Sequence, residues 1–169
     1  RGTSTALTSA TVADEDATAY PGCLLPVVGV LPTATSVTVV PGLTWTAGTA
    51  YTVGQIMTPF TSNAHYYKCT TAGTSAAITE PTWNTTGTTT ADGAGALVWL
   101  DMGLKALVLN TDYTVSGAGI TIPSTSTRFA STGYPVHLTY TKTVGKDIHA
   151  LVSSNQEYRV ILDGLNYAR

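Results

Sequence analysis

Charge is what this chain has least of. Only 11% of its 169 residues are Asp, Glu, Lys or Arg, less than half of the roughly 25% usual in soluble domains. Eight bases against ten acids leave a net charge of -2, so there is no basic footprint for gripping nucleic-acid phosphates. A free monomer relies on surface charge for solubility; a chain this neutral is suited to burying much of its surface against copies of itself. Cysteine is scarce too. Cys23 and Cys69 fall in different segments without CxxC or Cys/His spacing, which excludes a cysteine-based metal site and reads as two small, semi-buried thiols. The longest apolar run, residues 23–31, contains Pro26 and Gly29 and falls short of the about 20 apolar residues of a membrane-spanning helix. No signal-peptide pattern opens the chain. It starts at Arg1 rather than Met, and Arg169 follows closely on the turn-like Asp163-Gly164; both ends read as cut, and a fragment is expected.

Threonine is abundant, about a fifth of the residues, and β-branched side chains favour strands. Sixteen glycines and eight prolines supply turns. The length suits one ordinary domain, or a modest domain plus a small one. Asp14-Glu15-Asp16 interrupts the weakly alternating start of the chain as a charged turn. Residues 24–31 read as a buried strand or extended segment with prolines at its margins. Residues 36–40 form a strand that Pro41-Gly42 stops. Downstream, 105–109, 113–115 and 120–122 read as strands of a meander, with Asn110-Thr111-Asp112 and residues 116–119 as its turns. In 134–143, Val136, Leu138 and Tyr140 share one face and His137, Thr139 and Thr141 the other. Residues 157–162 give a last strand. Ile148, Leu151 and Val152 stand at i, i+3 and i+4 behind Asp147, which predicts one short helix over about 147–153. The expected fold class is mainly β: an antiparallel sandwich or barrel with that one helix and an inserted small all-β module.

The insertion is read from an aromatic block. It runs Trp45-x-x-Gly48-x-x-Tyr51-x-x-Gly54, then Tyr66-Tyr67-Lys68-Cys69, Glu80-Pro81-Thr82-Trp83, and Asp92-Gly93 before Leu97-Val98-Trp99, and it holds all three tryptophans. Joining Val40 directly to Leu107 leaves one continuous antiparallel meander, and hairpin tips tolerate long insertions because closure entropy grows slowly with loop length. Residues 1–42 plus 105–169 are therefore expected to form a discontinuous β-domain, and 43–104 an inserted module. At roughly 60 residues that module has a marginal core by size, and its aromatics supply the buried area. Trp45, Tyr51 and Trp99 flank strands and are expected inside. Tyr66 and Tyr67 are adjacent, so one should point in and the other out. Trp83 follows Pro81 in a loop-like stretch, where exposure is expected. Trp83, Tyr66 and Tyr67 are thus the candidate ligand-binding residues, since an exposed aromatic flanked by tyrosine can stack on the apolar face of a sugar.

The block resembles the small aromatic modules of phage and prophage tail proteins, which are similar to chitin-type carbohydrate-binding modules. The shared pattern is Trp45, Gly48, Tyr51 and Gly54, the Tyr66 to Cys69 strand, and the Glu80 to Trp83 turn. The flanks resemble the tail tube, or major tail, proteins of long-tailed bacteriophages and prophages. The carriers are 12–20 with its acidic run, 36–39, Thr111-Asp112-Tyr113-Thr114-Val115, Ala118-Gly119-Ile120, and 158–166 ending Asp163-Gly164-Leu165-Asn166; their order over about 100 residues matters more than any one of them. The resemblance implies a virion structural protein, assembled in the bacterial cytoplasm, whose β-domain self-associates into hexameric rings stacked as a tube. Implied partners are copies of itself, other tail proteins, DNA passing through a mildly acidic lumen without specific binding, and cell-surface glycans, with no membrane. The resemblance also implies a further strand after the Gly-Leu-Asn. The alternative reading is a stand-alone carbohydrate-binding protein.

No catalytic constellation emerges, and no enzyme activity, cofactor or metal is expected. His65, His137 and His149 lie in separate segments without ligand spacing. Asp14-Glu15-Asp16 lacks an EF-hand continuation. Neither a nucleophile elbow nor a phosphate loop occurs, and Asp147, Glu157 and Asp163 show no glycosidase pairing. The long segments 23–35 and 124–134 are candidate arms between protomers.

Overall fold

The computed structural model describes residues 9–26, 32–94, 96–116, 119–144, 159–162 and 165–168, and among them every regular element is a strand. In chain order these are β1 (Ser9–Ala19), β2 (Leu24–Pro26), β3 (Pro32–Val39), β4 (Leu43–Thr44), β5 (Ala50–Tyr51), β6 (Ile56–Thr58), β7 (His65–Thr71), β8 (Gly73–Thr74), β9 (Thr89–Asp92), β10 (Leu97–Leu104), β11 (Thr114–Ser116), β12 (Gly119–Thr121), β13 (Tyr134–Val144), β14 (Arg159–Leu162) and β15 (Leu165–Ala168). They pair as β1-β13-β3, β4-β6-β7-β10-β9, β11-β12-β2, β14-β15 and β5-β8. Every pairing is antiparallel except β4 with β6. The fold is therefore mainly β and antiparallel. The helix expected over 147–153 lies outside the described residues.

Two-residue alternation builds the first core. On β13, Tyr134, Val136, Leu138 and Tyr140 are buried while Pro135, His137 and Thr139 face away. β3 adds Val37 and Val39, and β12 with its neighbours adds Leu25, Ile120 and Ile122. Each such side chain contributes on the order of 1.5–3 kcal/mol by leaving water. A second core gathers Trp45, Tyr51, Met57, Tyr67, Cys69, Leu97 and Trp99. The two clusters do not follow the limits 43 and 104, because Ile56 and Tyr66 pack into the first.

Three expectations need correction. Asp14-Glu15-Asp16 is no turn but the middle of β1, with Glu15 opposite Leu138. Its carboxylates have partners across the ladder, which removes the reason for the chain to turn: Thr139 Oγ1 donates to Asp14 and Tyr140 Oη to Glu15, at 2.8 and 2.7 Å, and His137 Nδ1 lies 2.8 Å from Asp16. Residues 105–109 do not form a regular strand either. They make one antiparallel bridge, Ala106 to Thr38, flanked by bonds from Val39 N to Lys105 O and from Leu107 N to Val37 O. Asp112 then ends the pairing by accepting from Val108 N at 2.8 Å while its own N–H donates to Val108 O. Finally, 124–134 is no free arm. Phe129 joins the first core, and Tyr66 Oη donates to Arg128 O at 2.9 Å. Of the other candidate arm, Cys23 and Leu25 are also core residues, and 27–31 lie outside the described residues. Where the last strand was expected, β14 is followed by β15 in a hairpin that closes with Leu162 opposite Leu165.

Candidate functional site

The candidate residues converge on β7 and the loop between β8 and β9. Strand geometry sends Tyr66 and Tyr67 to opposite faces, but both faces are covered. Tyr66 is fully buried in the first core and Tyr67 fully buried in the second. The expectation that one of them faces outward is therefore corrected: β7 has a hydrophobic cluster on each side. Their hydroxyls are committed inside, Tyr66 to Arg128 O and Tyr67 to Asn84 O, both at 2.9 Å, and Tyr67 also accepts from Asn63 Nδ2. Burial pushes the Tyr66 phenol up to about 12, against the opposing pull of the Arg128 guanidinium. Burial also raises Tyr67 and the Cys69 thiol. None of these groups is primed for acid–base or nucleophilic work at neutral pH.

Trp83 is placed differently. It is half-buried, and its ring lies 4.5 Å from that of Tyr67 and 6.2 Å from that of Trp99. Tyr51 completes the row by an edge contact with Trp99 at 4.9 Å. The loop carrying Trp83 is tethered at several points. Glu80 accepts from Phe60 N and Thr61 N at 2.5 and 3.0 Å, Asn84 N donates to Thr90 Oγ1 at 2.9 Å, and Ser75 Oγ donates to Thr46 O at 2.6 Å. Beside Trp83 opens a shallow cavity of about 540 Å³, lined mainly by Pro81, Asn84, Thr85, Thr89 and Thr90, with no charged side chain in its wall. The indole Nε1 is turned inward, buried and without a hydrogen-bond partner. The surface on offer is an aromatic edge among hydroxyls and an amide, which suits a neutral, polyhydroxylated ligand better than an ion.

Two buried carboxylates hold this arrangement, and the candidate residues included neither. Asp92, which ends β9 just before Gly93, is 2% exposed. Its Oδ2 accepts from the indoles of Trp45 and Trp99 at 2.7 and 3.1 Å, and its Oδ1 from Ala76 N at 2.9 Å. Gly93 permits this: its φ is +68°, and an added Cβ would meet Thr74 O at 2.5 Å. Asp101 accepts from Gly87 N and Gly103 N at 2.9 Å and lies 2.8 Å from His65 Nδ1. The signal for Asp101 was present: on β10 it alternates in register with the buried Leu97 and Trp99. Trp45, Tyr51 and Trp99 are core residues, as their positions beside strands implied.

Among the described residues, no group of three or more His, Cys, Asp or Glu side chains could hold a metal ion, and no helix is long and apolar enough to cross a membrane. No curated protein and no solved structure matches the chain. Residues 70–169, from within β7 through β15, match the model of the family described as "Protein of unknown function UCP028589", and the chain belongs to that family.

Proposed function

We propose that this chain is a structural virion subunit, a tail tube protein that assembles in the bacterial cytoplasm into hexameric rings stacked as a DNA conduit. In this reading, 1–42 and 105–169 form a discontinuous β-domain of sandwich or barrel type with a short helix near 147–153. Residues 43–104 are then a small all-β module displayed on the tube's surface.

The observation that carries the proposal is the open edge of the main sheet. β1 is eleven residues long and pairs with β13 on one side only among the described residues. An unpaired edge of that length is a template for another chain. Symmetric copies can close such edges. A second observation supports the insertion. The chain leaves the sheet after Val39 and returns to bridge Thr38 at Ala106, so the intervening residues start and end side by side. The family match carries no functional description, so the reading rests on the fold and the resemblance.

Negative-stain imaging of the purified protein tests it. Rings or tubes of uniform diameter are expected. Scattered single particles at every concentration and ionic strength would sink the assembly reading. The alternative, a stand-alone carbohydrate-binding protein, draws its support from the uncharged cavity beside Trp83. Glycan contact by that residue fits either reading, as an accessory role of the displayed module or as the main activity.

A further inference from the structure

The main sheet has two lateral margins, and they differ. On the β3 side the returning segment covers Val37 to Val39, and side chains close its outer face. Arg128 Nη2 donates to Leu104 O, and its Nη1 pairs with Asp112 Oδ2 at 2.7 Å. Asp112 Oδ2 in turn accepts from Val108 N. An ion pair laid along a sheet margin in this way blocks strand addition. On the β1 side, no backbone group of the described residues pairs with the outer edge. Asp14 and Asp16 stand on the solvent face there, their side chains 60% and 87% exposed.

The β14–β15 hairpin has the opposite problem. It pairs with itself and with no other described strand, and a lone two-stranded hairpin is at best marginally stable in water. Two residues connect its strands, so the closing pair Leu162–Leu165 and the next-but-one pair Val160–Tyr167 exchange the ladder bonds. Ile161 and Arg159 then turn their backbone N–H and C=O away from β15, toward whatever lies alongside. Among the eight strand residues, Arg159 is the only charge, and its sign is opposite to that of the acidic run on β1.

We propose that β14 of one copy adds to the outer edge of β1 in a second copy, with Arg159 alongside Asp14–Asp16. This rests on the assembly reading above and specifies its contact. The Arg128–Asp112 pair gives it direction, since it obstructs the covered part of the β3 margin while no described residue pairs with the outer edge of β1. The interface is head-to-tail, which is the kind that closes into rings.

The test uses the full chain and follows mass against concentration by light scattering. Ile161→Pro removes one outward donor and leaves the β14–β15 bonds in place, so its circular dichroism should match that of the wild type. Its association should weaken at least about tenfold. Arg159→Glu should weaken association too, and Arg159→Glu combined with Asp16→Arg should restore part of it. If Ile161→Pro loses its β signal, the charge pair decides alone. Wild-type assembly that neither Ile161→Pro nor Arg159→Glu reduces overturns this contact and leaves the assembly reading standing. A wild type that stays monomeric throughout overturns both.

Discussion

Replacing Asp92 by alanine removes one carboxylate and strands three donors. The indole N–H groups of Trp45 and Trp99 lose their acceptor at 2.7 and 3.1 Å, and Ala76 N loses its own at 2.9 Å. A buried donor left without a partner costs about 1–3 kcal/mol. Trp99 is fully buried and Trp45 nearly so, so those two bear the full penalty; Ala76 is half-buried and can turn to water. Set against this, the variant no longer has to desolvate a carboxylate. The net loss is about 3–5 kcal/mol, a large part of the roughly 5–15 kcal/mol that holds a typical domain folded. An asparagine side chain at this position can offer one oxygen where two are used, so Asp92→Asn should lose about 1–3 kcal/mol, one donor's worth. Urea unfolding followed by tryptophan fluorescence and by circular dichroism measures both; the second probe matters because the mutation touches two of the three indoles. A loss for Asp92→Ala within about 0.5 kcal/mol of wild type, the range of an ordinary surface change, would refute the account of Asp92 as the clamp of the second core.

Two further outcomes follow from the geometry. On a glycan array Trp83→Ala should lose the wild-type signal, while Tyr66→Phe and Tyr67→Phe keep it because those rings are sealed inside; equal binding by Trp83→Ala and wild type, or none by either, removes the sugar reading. His137 is raised above its ordinary 6.5, chiefly by the hydrogen bond to Asp16, with desolvation opposing it and the charges of Asp16 and Asp14 adding to it. A base whose folded value is raised lends stability that is fully present below its unfolded value and lost as pH rises through the folded one. Wild-type stability should therefore fall relative to His137→Gln as pH climbs upward from 6.5, and parallel pH curves for the two proteins would remove the cross-strand role of His137.

How far the sequence could be read depended on whether neighbours three or four residues away, or partners across the fold, decided the outcome. β13 was legible because its alternation of Val136, Leu138 and Tyr140 with His137 and Thr139 needs one buried face and nothing else. The second core was legible for Trp45, Tyr51 and Trp99 because large aromatics beside strands have few other places to go. β7 was only half legible: alternation separates Tyr66 from Tyr67 but does not say that each side has a core. Asp14-Glu15-Asp16 looked like a turn because its partners, His137, Thr139 and Tyr140, lie more than 120 residues away. Asp92 was not legible for the same reason. Its turn chemistry with Gly93 is local and real, yet what buries it is a pair of indoles 47 and 7 residues distant. Residues 105–109 had strand composition, and a single side chain, Asp112, curtailed the ladder.

The back-to-back placement of Tyr66 and Tyr67 bears on how such a protein changes over generations. On the inserted-module reading proposed above, a cassette bounded at 43 and 104 would be exchanged between scaffolds across the junction where Val39 meets Lys105. Yet Tyr66 and Ile56 travel with the cassette while the hollow they fill stays behind, walled by Tyr134 and Phe129 of the scaffold. A foreign replacement must bring a ring of matching shape at that spot or leave a void of the kind that costs about 3–5 kcal/mol when an aromatic is truncated. On that reading, an exchange of residues 43–104 is therefore expected to succeed only where this one plug and socket are kept in common, a seam that runs through the middle of a strand.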